Sequence, residues 1–141
     1  MNGQWKYQIR IYLSDDYFEM ARQNPSAPSL KPLADILAAH NATMKCQFDA
    51  FADYVAFAEQ QGSTDESLYK WTKATIEDPA KKAKHLKSFT LYIDGDEVYA
   101  RDLADALELD LQPLVGGDII TRLSKHDTNP ANNPQAPARY R

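Results

Sequence analysis

The amino-terminal segment alternates strictly between apolar and polar side chains. Over residues 5–13 one face carries Trp5, Tyr7, Ile9, Ile11 and Leu13, and the other carries Lys6, Gln8, Arg10 and Tyr12. A period of two with β-branched and aromatic residues on one side is typical of a half-buried strand. The segment therefore predicts a strand whose apolar face joins the core and whose polar face points away from it.

Helical and strand patterns then follow one another along the chain. Apolar residues at helical spacing predict helices over about 14–23, 29–39, 50–61, 63–76, 78–86 and 100–111. Alternation predicts further strands at 89–93 and 118–124. Asp94-Gly95 is a strong signal for a tight hairpin, with residues 97–99 as a short return strand.

Residues 43–48 are compatible with two structures. Apolar and polar side chains alternate there as in a strand, but Met44 and Phe48 also begin a series that has the spacing of one long helix. We favour a strand at 43–48 followed by a helix over 50–61, because Asp49 can cap that helix.

The order of these elements predicts the α+β class. We expect a mixed or antiparallel sheet of four or five strands with helices packed on one face. The outline resembles a ferredoxin-like sandwich with a helical insertion at about 50–86. Residues 1–126 are expected to form one domain, and the proline- and asparagine-rich residues 127–141 an extended tail.

Composition and charge narrow the class of protein. The chain has 141 residues, of which 43% are apolar and 26% charged, as in soluble globular domains. Residues 69–87 contain six lysines and two acids, but the net charge of −4 argues against a nucleic-acid partner. No stretch approaches the roughly 18 consecutive apolar residues of a membrane span. With one cysteine, which cannot form an internal disulfide, a cytoplasmic location is the simplest expectation.

The polar face of the first strand is the candidate ligand-binding surface. It presents Gln8, Arg10 and Tyr12, and Tyr92 joins it from the strand before the hairpin. Such a face can simply be solvated. An arginine among tyrosines is also suited to a dimer interface or an enclosed pocket. There Arg10 could hold a carboxylate or phosphate through two hydrogen bonds, and Tyr12 or Tyr92 could orient a hydroxyl or carbonyl group.

The sequence predicts neither a metal site nor a cofactor. His40, His85 and His126 lie more than 40 residues apart, and Cys46 has no second cysteine with which to share a metal. On the strand interpretation Cys46 points into the core, which predicts a buried and unreactive thiol.

The carboxyl-terminal residues form a candidate partner-binding segment. Arg139, Tyr140 and Arg141 place an aromatic ring between two cations at the end of the predicted tail. Such a tail could fray, or it could lie across a neighbouring subunit and engage an acidic surface.

These features predict a homodimeric module that binds a small molecule or a partner through the polar sheet face. The alternative is a cofactor-free enzyme of small-molecule metabolism whose site lies in the same place.

Overall fold

A computed structural model describes residues 5–128, which form one sheet and its covering helices. The strands are β1 (Tyr7–Leu13), β2 (Ala42–Cys46), β3 (Ser88–Ile93) and β4 (Ile120–Asp127). The α-helices are α1 (Phe18–Gln23), α2 (Lys31–Ala39), α3 (Gln47–Gln61), α4 (Ser67–Glu77), α5 (Pro79–Leu86) and α6 (Arg101–Leu111). Short 3-10 turns occupy Pro28–Leu30 and Gln112–Leu114.

The sheet has four strands in the order β2-β3-β1-β4, and all neighbouring strands are antiparallel. This confirms the predicted α+β class, with an antiparallel rather than a mixed sheet. One helical connection joins β1 to β2 and another joins β3 to β4, an arrangement compatible with the ferredoxin-like outline. Helices α3, α4 and α5 form the insertion between β2 and β3.

The core lies on one face of the sheet, as the pattern of β1 predicts. Ile9, Ile11 and Leu13 are at most 1% exposed and pack in a single apolar cluster. Helices α1, α2 and α6 contribute to the same cluster, among others through the buried residues Ala21, Leu33, Leu37, Ala104, Leu107 and Leu111. The polar residues of β1 consequently occupy the opposite face of the sheet.

The boundary between β2 and α3 differs from the predicted one. The strand ends at Cys46, and the helix begins at Gln47 rather than at residue 50. Phe48 packs against the core from the first helical turn, so its apolar character did not require a strand. The prediction that Asp49 caps the helix is also wrong. Asp49 lies in the first turn and accepts hydrogen bonds from Nε and Nη2 of Arg22, at 3.1 and 2.9 Å.

The Asp94-Gly95 turn is confirmed, whereas its return strand is not. Both residues have positive φ, 53° and 82°, as a tight hairpin turn requires. The backbones of Ile93 and Asp96 exchange two hydrogen bonds, and the pairing with β3 stops there. Tyr99 pairs with Tyr7 of β1 instead, and its hydroxyl accepts from Ile9 N and donates to Leu91 O, both at 2.9 Å. The segment is thereby drawn across the end of the sheet towards β1.

The last strand is shifted relative to the predicted 118–124. It runs from Ile120 to Asp127, so Asp127, assigned to the tail from the sequence, is the final residue of β4. Gln8 and His126 are directly paired across β1 and β4. His126 therefore belongs to the sheet.

Candidate functional site

Polar side chains form three rows across the face of the sheet opposite the core. Residues paired across neighbouring antiparallel strands point to the same face. The central row crosses all four strands and consists of Lys45, Thr90, Arg10 and Ser124. A second row contains Ser88, Tyr12 and Arg122, and a third contains Gln8 and His126 beside Tyr92 and Thr43. Arg10 thus lies near the middle of the sheet.

The helical insertion meets this face and forms a pocket with it. The pocket has a volume of about 340 Å³. It is lined by Gln8, Arg10, Gln47, Ala50, Phe51, Tyr54, Leu68, Thr72, Thr90, Tyr92 and Glu97. Strands β1 and β3 supply its polar floor, and α3 and α4 supply a largely aromatic and apolar wall. A few polar groups facing an apolar wall are typical of small-molecule sites.

Arg10 is the cation of the pocket and makes no ion pair within residues 5–128. Its Nε donates to Oε1 of Gln8 at 2.8 Å. The two terminal nitrogens form no hydrogen bond with any residue that the structure describes. Partial burial lowers the pKa of the guanidinium, although arginine stays charged at neutral pH. Glu97 acts on this charge only at a distance, without an ion pair. A charge partly removed from water without a directly bonded counter-ion is costly, so this side chain is suited to bind an anion.

Gln8 links Arg10 to Glu97. Because the amide oxygen of Gln8 accepts from Arg10, its nitrogen is directed to Glu97, where it lies 3.3 Å from both the backbone O and Oε1. Gln8 is only 7% exposed, so this amide is held in place by its surroundings. The orientation of the guanidinium is consequently fixed by a buried neighbour.

Two histidines lie near Arg10, on opposite sides. His126 on β4 lies 3.0 Å from the hydroxyl of Ser124, and His85 on α5 lies 2.9 Å from Oε1 of Gln47, a lining residue. Burial is the main cause that lowers the pKa of both rings, and the positive charge of Arg10 lowers it further. Both environments therefore favour the neutral form of the imidazole.

The structure brings three of the four predicted ligand-binding residues into the pocket. Gln8, Arg10 and Tyr92 line it, and burial raises the pKa of the Tyr92 hydroxyl. Tyr12 does not line it. The ring of Tyr12 instead stacks with the guanidinium of Arg122, whose carbon lies 3.9 Å from the ring centre.

The predicted partner-binding residues Arg139, Tyr140 and Arg141 lie outside the described residues.

Cys46, predicted to be buried, is 3% exposed. Its thiol lies within hydrogen-bonding distance of the carbonyl oxygens of His85 and Leu86, at 3.6 and 3.4 Å, and burial raises the thiol pKa.

Several lining residues were not foreseen from the sequence. Gln47, Phe51 and Tyr54 are spaced by four and three residues, which places them on one face of α3, so helical spacing could have grouped them. Glu97 was expected in a return strand, and no local pattern indicates that it approaches Gln8. Thr72 and Leu68 belong to α4. The packing of α4 depends on contacts between distant parts of the chain, which local sequence patterns do not reveal.

Elsewhere in the described chain, fewer side chains are placed to bind a ligand or a metal ion. A wider and more open cleft of about 440 Å³ is lined by Asp16, Tyr17, Met20, Ser29 and Asp118, and includes no cation. Between residues 5 and 128, no group of three or more His, Cys, Asp or Glu side chains is arranged to hold a metal ion. None of the described helices has the length and apolar character needed to cross a bilayer.

Comparison with protein-family models, curated proteins and solved structures finds no match to this chain. What the pocket does has to be inferred from its own chemistry.

Proposed function

We propose that this protein binds a small anionic molecule in the pocket on the polar face of the sheet. The observation that supports the proposal is the half-buried guanidinium of Arg10, whose two terminal nitrogens have no partner among residues 5–128. A planar guanidinium matches the two oxygens of a carboxylate or phosphate. Gln8 occupies Nε, so the anion would be received by the remaining edge.

The neighbouring groups are suited to orient the rest of the ligand. Thr90 lies directly opposite Arg10 on β3, and Tyr92 lies one step further along the same face. Their hydroxyl groups can donate to or accept from a second polar group of the ligand. Phe51 and Leu68 provide apolar surface above them. The expected ligand therefore has one anionic end and an apolar body.

Isothermal titration calorimetry on two arginine variants tests this proposal. The probes are benzoate, 3-phenylpropanoate and phenyl phosphate, and Arg10→Gln is expected to weaken binding of any probe that binds by at least tenfold. Arg122→Gln is the matched control, because Arg122 lies on the same face but stacks on Tyr12 outside the pocket. Its affinity should equal that of the wild type.

Stability measurements on the same variants separate a binding role from a structural one. Arg10→Gln removes a partly desolvated charge with no ion pair, but also the hydrogen bond to the buried Gln8 amide. Because these two effects oppose each other, the melting temperature should change by no more than a few degrees. Absence of binding by every probe, or equal affinity in Arg10→Gln and the wild type, would contradict the proposal.

A cofactor-free enzyme is the second candidate function. The arrangement that favours it is His126, whose lowered pKa favours the neutral ring and whose Nε2 lies 3.0 Å from the hydroxyl of Ser124, the residue paired with Arg10. A neutral imidazole can act as a general base on a bound anion. Proton NMR of a bound probe over hours distinguishes the two: an unchanged spectrum supports binding alone. Turnover that His126→Gln abolishes, with affinity retained, supports catalysis.

Two further parts of the proposal concern the oligomeric state of the protein and its location in the cell. We retain the homodimer as a prediction, and β4, an edge strand of eight residues, offers backbone groups for pairing with a second copy. Light scattering coupled to size-exclusion chromatography measures the mass directly.

We also retain a cytoplasmic location, in keeping with the single buried free thiol, Cys46.

A further inference from the structure

The pocket contains one cation and one anion, joined by a single amide. Arg10 and Glu97 are the only charged side chains among its described lining residues. Gln8 bridges them, since its oxygen accepts from Arg10 Nε and its nitrogen approaches Glu97 Oε1. Arg10 and Glu97 do not form an ion pair with each other, so each can face a ligand group of the opposite sign.

We infer, on the basis of the proposed anion-binding function, that the ligand is a zwitterion: a free α-amino acid with an aromatic or aliphatic side chain. Its carboxylate binds the terminal nitrogens of Arg10, and its ammonium group binds the carboxylate of Glu97. The side chain lies against the wall formed by α3 and α4.

The balance of charge in the pocket favours a zwitterion over a simple anion. A phosphate dianion would bring two negative charges to a site that already holds Glu97 and has a single arginine. A simple monocarboxylate would satisfy Arg10 but would leave a second carboxylate close to the Glu97 side chain, where like charges repel. A zwitterion neutralises both residues at once, and each charged hydrogen bond is stronger than a neutral one.

The placement of the two charges also fits the shape of the pocket. Arg10 is half-buried on the floor, whereas Glu97 is an exposed residue that follows the turn after β3. The ligand carboxylate would therefore enter first, with the ammonium group nearer to solvent. An ammonium group loses less hydration in such a position, which lowers the cost of binding.

The apolar wall accounts for the third part of the ligand. Ala50, Phe51 and Tyr54 line the pocket from α3, and Leu68 lines it from α4. Leu68 is 51% exposed although it is large and apolar. A ligand side chain that covers Leu68 would remove apolar surface from water. The volume of about 340 Å³ is at the lower end of the range for ligand pockets, which suits a ligand of this size.

Calorimetry with matched ligand pairs tests the inference. L-phenylalanine is compared with 3-phenylpropanoate, which lacks the ammonium group, and with 2-phenylethylamine, which lacks the carboxylate. L-leucine and 4-methylpentanoate form a second, aliphatic pair. We expect at least one of the two amino acids to bind the wild-type protein at least tenfold more tightly than its deaminated analogue, and 2-phenylethylamine to bind more weakly than L-phenylalanine.

Glu97→Gln is the decisive variant. It removes the charge but keeps a side-chain oxygen that can accept from Gln8, so the position of Arg10 should be preserved. The preference for the amino acid over its deaminated analogue should fall to about unity, while Arg10→Gln should weaken both ligands.

Two failures can be told apart. If the deaminated analogues bind as tightly as the amino acids, or if Glu97→Gln leaves the preference intact, the zwitterion is excluded and the anion site stands. If no carboxylate of either pair binds, the zwitterion is excluded, and if benzoate and phenyl phosphate also fail to bind, the proposed function is wrong as well.

Discussion

The hydroxyl groups of Tyr99 and Tyr54 are both buried but differ in their hydrogen bonding. The hydroxyl of Tyr99 is buried, accepts from Ile9 N and donates to Leu91 O. The hydroxyl of Tyr54 is also buried, but it has no hydrogen-bond partner among the described residues. A buried hydroxyl contributes to stability only when it is paired, and an unpaired one costs free energy. The two residues should therefore respond differently to the same substitution.

Tyr99→Phe is expected to lower the free energy of unfolding by about 2 kcal/mol, because it leaves a buried N–H and a buried carbonyl without this partner. Tyr54→Phe is its matched control and should be neutral or stabilising by up to about 1 kcal/mol. Urea unfolding of the two variants beside the wild type measures both values. If the two variants lose the same free energy of unfolding, the stabilisation does not come from the hydrogen bonds of Tyr99.

At the scale of elements, β1 was largely predictable because its alternation is local. Its period of two places Ile9 and Ile11 in the core and Gln8 and Arg10 on the other face, as the structure has them. The same pattern includes Tyr12, which lies outside the pocket. Alternation assigns a face, but it does not tell which part of that face another element will cover.

The position of the helical insertion could not be predicted from local sequence patterns. Helices α3 to α5 were predicted, but their position over the polar face depends on contacts between distant segments. His85 and Gln47, 38 residues apart, are in contact, and Gln47 lines the pocket from α3. Glu97 reaches Gln8 across 89 residues because Tyr99 pairs with β1 rather than returning along β3. Neither contact has a signature in the neighbouring residues.

The start of α5 provides a test at this scale. Oδ1 of Asp78 accepts hydrogen bonds from the backbone N of Ala80 and of Lys81, at 3.0 and 3.3 Å. Asp78→Ala should cost about 1 kcal/mol of stability, the usual effect of losing an N-cap. Asp65→Ala, at an exposed turn position with no side-chain hydrogen bond to the described residues, should cost less than about 0.5 kcal/mol. Thermal unfolding of both variants measures the difference, and equal melting temperatures would contradict the capping role.

Over the whole molecule the net charge is negative, but one element beside the pocket is basic. The chain carries −4, but the basic helix α5 lies against β3 beside the pocket. The lysines at positions 81 and 84 act on His85 in the same direction as Arg10 does, lowering its pKa. A local positive field of this kind attracts anions even to an acidic protein, and salt weakens the attraction.

We expect His126 to make ligand binding depend on pH. The pKa of His126 lies below its ordinary value, because of burial first and then of Arg10 and Arg122, with Asp127 acting in the opposite direction. Because this pKa lies below the ordinary value of about 6.5, the folded protein takes up the proton on this ring at a lower pH than the unfolded chain does. Since a bound anion favours the protonated ring, we expect affinity for a carboxylate probe to be higher at pH 5.5 than at pH 7.5.

The stability of the free protein should change in the opposite direction. A histidine whose pKa is lowered by folding stabilises the native state above its unfolded pKa of about 6.5, and this contribution is lost as the pH falls towards the folded pKa. Calorimetry and thermal unfolding at the two pH values measure both trends. His126→Gln should reduce both, whereas an affinity that falls with pH would contradict the account.

A crystal structure of the complex with the tightest-binding carboxylate probe tests the central claim most directly. We predict that the two carboxylate oxygens lie within hydrogen-bonding distance of Nη1 and Nη2 of Arg10, with the apolar part against Phe51 and Leu68. A probe bound elsewhere, or a carboxylate turned away from Arg10 into solvent, would contradict it.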